Sequence, residues 1–250
     1  MRSGRRKKVA QRAAPTTFDP CPPGAVGGQY KPLNETEVRQ IYDTAVRLLS
    51  ELGMGEVPKR LKQDLLRNGA GIKGERVLFP KDMIESAIKT APKQFKLHGR
   101  DPSRSIHIGG DSVHFGTGGA AVQTLDIDTA QYRPSTLKDL HHFTRLQDAL
   151  RNISWFTRCC VATDVPDNFD LDVNTVFALL KNTTKPVATS FTIAPHVAPI
   201  VRMLDIAAGG EGKFAKRPFL KAHISPVISP LRYAQDAVDV VYECIAHSIP

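Results

Sequence analysis

Four short clusters hold most of the side chains in this sequence that could bind or transform a small molecule. In PFLKAHIS (218–225) the residues alternate, with Lys221, His223 and Ser225 on one face of an expected strand and Leu220, Ala222 and Ile224 on the other. The apolar face suits packing against helices, so the polar set points the opposite way. A desolvated lysine there could be a Schiff-base nucleophile or a paired structural charge. His223, nearer the strand end, is the better candidate for touching a ligand, the alternative being a hydrogen-bonded core histidine. A second cluster, Arg158-Cys159-Cys160, lies in the apolar run ISWFTRCCVA (153–162). The Arg158 guanidinium is a planar fork that matches a carboxylate. A third, Ser190-Phe191-Thr192, ends KPVATSFT (185–192), and a fourth, Gly116-Thr117-Gly118-Gly119, follows VHF. Such glycines let backbone approach a ligand closely or reach positive φ; the plainer alternative is a tight turn with no ligand.

Other chemistries are not signalled. The acids Asp164, Asp167, Asp170 and Asp172 and the scattered histidines lack metal-ligand spacing, so no metal is expected. No G-x-G-x-x-G or G-x-x-x-x-G-K-[ST] follows an expected strand. Phe115, Trp155, Phe156 and Phe191 fall on or beside strand ends, where they could face an ammonium group or simply fill the core. The four cysteines, Cys21, Cys159, Cys160 and Cys244, form no C-x-x-C pair. They suit a reducing, cytoplasmic setting, and the pair Cys159-Cys160, in an apolar run, reads as buried structural thiols.

These clusters recur because strands recur. Expected strands begin near 153, 186 and 218, separated by helices at about 137–150, 170–181, 195–208 and 231–247. That alternation implies βαβ crossovers and a parallel sheet. Polar residues gather at the strand carboxyl ends, which favours a (β/α)₈ barrel over a doubly wound sheet. The expected fold class is therefore α/β, a partial (β/α)₈ TIM-type barrel over 109–250. Only about four βα units fit there against the eight of a closed barrel, so we expect a truncated chain without activity of its own.

Ahead of it, 29–108 reads as a small helical α+β region. Asn34 and Glu37 have capping-box spacing, and Val38, Ile41, Ala45, Leu48 and Leu49 fall on one helical face up to Gly53, expected as a left-handed cap. A helix opening at Pro58, a strand RVLF (76–79), a helix at 81–91 and a strand FKLHG (95–99) follow. Residues 1–28 read as a disordered basic leader. Arg2, Arg5, Arg6, Lys7, Lys8 and Arg12 precede the first acid, Asp19, and removing those six charges takes the net +9 to +3. The leader could bind nucleic acid or an acidic surface, which leaves a nucleic-acid-binding protein as an alternative function, but no helix-turn-helix, RNP or zinc-finger pattern accompanies it. No run approaches ~20 apolar residues, so no membrane span is expected.

Several segments together resemble the trimethylamine methyltransferase family: YKPLNETEVRQIYDTAVRLLSELGMGE (30–56), FKLHGRDPSR (95–104), VHFGTGGAAVQTLDIDTAQYRPSTLKDL (113–140), LDVNTVFALLKNTTKPVATSF (171–191) and ISPVISPLRYAQDAVDVV (224–241). The resemblance implies a (β/α)₈ barrel that moves a methyl group from a methylated amine, trimethylamine or a quaternary amine such as glycine betaine, to the cobalt of a separate corrinoid protein. It implies no cofactor bound directly, since the acceptor belongs to the partner, and a homo-oligomer for the full-length enzyme. It agrees in location with a substrate pocket over Gly116–Gly119, Arg158, Ser190, Phe191 and His223.

Overall fold

A computed structural model describes residues 22–250; most of the expected leader, 1–21, lies outside the described residues. The first strand, β1 (Ala25–Val26), pairs antiparallel with a later one, Ala25 opposite Val113. Residues 25–26 are thus part of a ladder, although the composition alone assigns them to the leader. Helix α1 (Glu35–Arg47) opens with the expected capping box: Asn34 Oδ1 accepts from Glu37 N at 3.0 Å, and Glu37 Oε2 accepts from Asn34 N at 2.8 Å. It runs on through a π turn, Leu48–Leu52, to Gly53. Gly53 has φ 71° but ψ −165°, so it is not the left-handed cap expected. Its requirement is steric, because a Cβ there would lie 2.1 Å from Val77 O.

Helix α2 (Lys59–Arg67) follows Pro58, which sits at the N-cap, one place before the helix. Strands β2 (Gly71–Lys73) and β3 (Arg76–Leu78) form a hairpin, of which the sequence signalled only the second arm. Helix α3 (Lys81–Thr90) leads to β4 (Phe95–Leu97), which pairs antiparallel with β5 (Ile106–Ile108). Strand β6 (Ser112–Val113) is the partner of β1.

Next come β7 (Phe115–Gly116), the hairpin β8 (Gln123–Leu125) and β9 (Tyr132–Pro134), α4 (Leu137–Ala149) and β10 (Ile153–Thr157). Then follow α5 (Asn168–Asn182), β11 (Val187–Thr189), α6 (Val197–Ala208), the short α7 (Lys213–Lys216) and β12 (Leu220–Ala222). A second unsignalled hairpin, β13 (Val227–Ile228) with β14 (Arg232–Tyr233), delays the last helix, α8, to Gln235–Ala246.

Strands β7, β10, β11 and β12 form one parallel sheet in the order β12-β11-β10-β7, so the molecule is a mixed α/β fold with a parallel sheet, as the alternation predicts. In register, Phe156, Val187 and Leu220 make one row across it. All three are buried in a core with Leu140, Val176, Leu179, Ile200, Phe214 and Val240 from the helices. The next row, Thr157, Ala188 and Lys221, faces the other way by alternation. The ladder is shorter than the apolar runs suggest, because each run continues past its last paired residue into a loop. Among the described residues no helix is long and apolar enough to cross a membrane.

The amino ends of the sheet are tied down by cations on helix carboxyl termini, where the exposed carbonyls and the macrodipole favour positive charge. Lys185 Nζ donates to Gln147 O and Leu150 O, both at 2.8 Å, closing α4; its burial lowers its pKa. Arg100 Nη2 donates to Leu180 O at 2.6 Å, near the end of α5.

At the opposite end, Arg133 on β9 makes a bidentate pair with Asp139 at 2.7 and 2.9 Å and reaches Asp126 at 3.1 Å. Asp139 also completes a capping box with Thr136 at the start of α4. Hydrogen bonds from Arg133, then those from Thr136, hold the Asp139 carboxyl far below its ordinary range, against its burial. A depressed folded-state pKa contributes stability that is whole above the unfolded value and is lost as pH falls through it toward the folded one. Thermal midpoints should therefore fall more steeply below about pH 4 in the native chain than in Asp139→Asn; parallel curves would refute the linkage.

Candidate functional site

The carboxyl ends of β10, β11 and β12 bring together Arg158, Ser190, Phe191 and His223. Arg158 follows β10 directly, and its Nη2 donates to Ser190 Oγ at 3.0 Å, one residue past β11. Ser190, Phe191 and Thr192 form one wall of a cleft of about 130 Å³. His223, Ile224 and Ser225 form the second, and Asp236, Ala237 and Val240 of α8 the third. His223 N donates to Thr189 O at 2.8 Å, extending the β11–β12 pairing one residue further and leaving the imidazole exposed. Phe191 is 6% exposed and belongs to the core as well as to the cleft. Desolvation lowers the Arg158 pKa, opposed chiefly by the Asp172 carboxylate.

The four residues 116–119 sit apart from this cleft, and three of them serve internal packing. A Cβ on Gly116 would fall 2.0 Å from the Trp155 ring, and one on Gly119 2.7 Å from Arg158 O. Thr117 Oγ1 donates to Thr157 O at 2.7 Å and accepts from Thr157 N at 3.0 Å, joining the loop to β10. Only Gly118 has open space around its Cα. Gly116 thus makes room for the Trp155 ring, and Gly119 lets the backbone pass close to that of Arg158 and Cys159. Gly119→Ala should lower stability by about 1–3 kcal/mol through overpacking, whereas Gly118→Ala should be nearly neutral. Equal thermal midpoints for the two variants would count against this assignment.

Lys221 is separated from His223. Its Nζ lies 5.0 Å from the Trp155 ring centroid, on the face opposite Leu220, and burial lowers its pKa. It does not line the cleft, and among the described residues it pairs with no carboxylate; a cation–π contact stands in place of the expected ion pair. Trp155 is engaged there, and Phe156 is 1% exposed in the core. Phe115, on β7, is exposed at 46% and does not line the cleft. Cys160 and Cys244 are buried and Cys159 partly so, all as free thiols. The hydrogen bond to Cys159, and then burial, push the Cys160 thiol up, while burial takes Cys244 to about 11. Among the described residues no group of three or more His, Cys, Asp or Glu is placed to hold a metal ion.

One buried network was not singled out by spacing. Asp172, on α5 and 2% exposed, accepts from Thr192 N at 2.7 Å, Thr192 Oγ1 at 2.9 Å and His196 Nδ1 at 2.7 Å. A carboxylate only accepts, so the imidazole proton sits on Nδ1. The Phe169 ring packs edge-on against His196, centroids 5.2 Å apart. This network anchors the loop after β11, and so the segment that carries Ser190. The signal was present: Asp172 shares a helical face with Val176 and Leu179, where an acid is out of place unless bonded.

Comparison with known proteins gives a consistent result. A family model described as trimethylamine methyltransferase (MTTB) matches residues 1–250. The chain is 27% identical over 206 residues to a glycine betaine methyltransferase of Desulfitobacterium hafniense strain Y51, covering 82% of this chain and 42% of that protein. It is 27% identical over 219 residues to a trimethylamine methyltransferase MttB of Desulfitobacterium hafniense strain DSM 10664 / DCB-2, covering 87% and 44%. To a trimethylamine methyltransferase MttB1 of Methanosarcina mazei it is 24% identical over 230 residues, covering 90% and 46%. The chain spans less than half the length of these relatives.

Proposed function

We propose, from the premise that this chain belongs to the trimethylamine methyltransferase family, that it forms the substrate-binding first half of a (β/α)₈ barrel. That barrel takes a methyl group from a methylated amine and delivers it to the cobalt of a corrinoid protein. The chain-order run of parallel strands, β7, β10, β11 and β12, supports the barrel reading. In this reading 109–250 is the barrel part, 29–108 the helical α+β region that closes its amino end, and the basic leader precedes them. The enzyme works in the cytoplasm as a homo-oligomer, binds no cofactor itself and meets its acceptor on the partner.

The observation that carries the reading is the cleft at the carboxyl ends of β11 and β12, backed by Arg158, under a family match to residues 1–250. Barrel enzymes place substrates at that end. The chemistry asks little of protein nucleophiles: as the N–CH₃ bond breaks, the amine keeps its electron pair and the methyl passes to reduced cobalt. What the protein supplies is orientation and exclusion of water. Arg158, Ser190 and His223 can hold a polar group of the amine while Phe191, Ile224 and Val240 meet its methyl groups.

The test is to incubate the full-length enzyme that contains this half-barrel with reduced corrinoid protein and either glycine betaine or trimethylamine; residues 1–250 by themselves should give no product. From the full-length enzyme we expect one demethylated amine per methylated corrinoid. Absence of product from both substrates would overturn the reading.

A further inference from the structure

We propose that Asp236 receives the cationic end of the substrate, so that the cleft selects a zwitterion over a simple amine; this rests on the methylated-amine reading above. The cleft holds about 130 Å³, roughly four times the ~30 Å³ share of a water in the liquid, which is room for one small molecule. Its walls differ in charge. On one side Ser190 Oγ accepts from the Arg158 guanidinium. A hydroxyl that accepts from a cation still has its own proton to give. Among the described residues that proton has no protein acceptor, so this wall presents a polarised donor suited to a carboxylate.

On the α8 side stands Asp236, exposed and, among the described residues, within ion-pair distance of no Lys, Arg or His. Its Oδ1 accepts from the backbone N of Ala237 at 2.9 Å, within its own helix. Between the two walls lie Phe191, Ile224 and Val240. A quaternary ammonium has no N–H to donate, so apolar faces beside a single carboxylate suit it. A molecule with a carboxylate at one end and methylated nitrogen at the other satisfies both walls. Trimethylamine satisfies one. An acid in the first turn of a helix also stabilises that helix through its dipole, so the test must separate a ligand role from a structural one.

Three probes do so. Glycine betaine carries both charges, 3,3-dimethylbutanoate replaces its nitrogen by carbon in the same shape, and tetramethylammonium lacks the carboxylate. By calorimetry the protein should bind glycine betaine at least about 10-fold more tightly than 3,3-dimethylbutanoate. Asp236→Asn should erase that preference while leaving the affinity for 3,3-dimethylbutanoate unchanged. If the variant lowers the thermal midpoint but keeps the preference, Asp236 is only a helix-stabilising acid and the inference falls. If the native protein binds trimethylamine but shows no preference for the zwitterion, this inference falls and the methylated-amine reading stands. If no methylated amine binds, that reading fails with it.

Discussion

Asp172→Ala is expected to destabilise the fold by about 3–5 kcal/mol, because it leaves three buried donors without an acceptor at about 1–3 kcal/mol each, less what relaxation recovers. A domain of this size has a total stability of about 5–15 kcal/mol, so the loss is a large part of the whole. The carboxylate side chain is 1% exposed and receives three hydrogen bonds. Truncation leaves Thr192 N, Thr192 Oγ1 and His196 Nδ1 facing a dry gap. The damage should be concentrated in the loop after β11, because two of those donors belong to Thr192 and the third lies four residues on. Asp172→Asn keeps one acceptor oxygen and should cost less, about 1–2 kcal/mol. Urea unfolding of the two variants checks the order. A loss below about 1 kcal/mol for alanine would mean that water replaces the carboxylate, and that the network does not hold the loop.

The parallel sheet was legible because its strands lie in mostly apolar runs at regular spacing, alternating with helices. The capping box of α1 was legible because it is a local bond set written in two residues, Asn34 and Glu37. The hairpins β2–β3 and β13–β14 were not. Their arms are two or three residues long, too short for a period-two pattern to stand out, and both are met by Met54-Gly55, through the Met54–Val77 bridge and the hydrogen bond from Gly55 N to Leu231 O, contacts that no local spacing reveals. At the site, Arg158, Ser190 and His223 were found by one rule, polar residues at strand carboxyl ends. The same rule pointed to the glycines at 116–119, of which Gly116 and Gly119 must be small because of Trp155 and the Arg158 carbonyl, neighbours that no local spacing reveals. It also passed over Asp236, which enters the cleft from the start of α8 because the β13–β14 hairpin holds that helix back.

Arg158→Lys should separate the substrates. The change keeps a positive charge behind the cleft but removes the planar fork that can bind a carboxylate through two parallel N–H bonds. It also removes the Nη2 bond that orients the Ser190 hydroxyl. In the full-length enzyme, with glycine betaine as substrate, we expect kcat/KM to fall about 100-fold, the equivalent of ~2.7 kcal/mol of transition-state stabilisation. With trimethylamine, which has no carboxylate to anchor, the fall should stay below about 3-fold, provided that the protein accepts both. Arg158 is half-buried with Asp172 as its nearest acidic influence, so a general collapse of the site is the competing explanation. That collapse would lower both rates together and shift the thermal midpoint. A selective loss with an unchanged midpoint assigns Arg158 to the carboxylate, whereas an equal loss for both substrates, or none for either, removes it from the site.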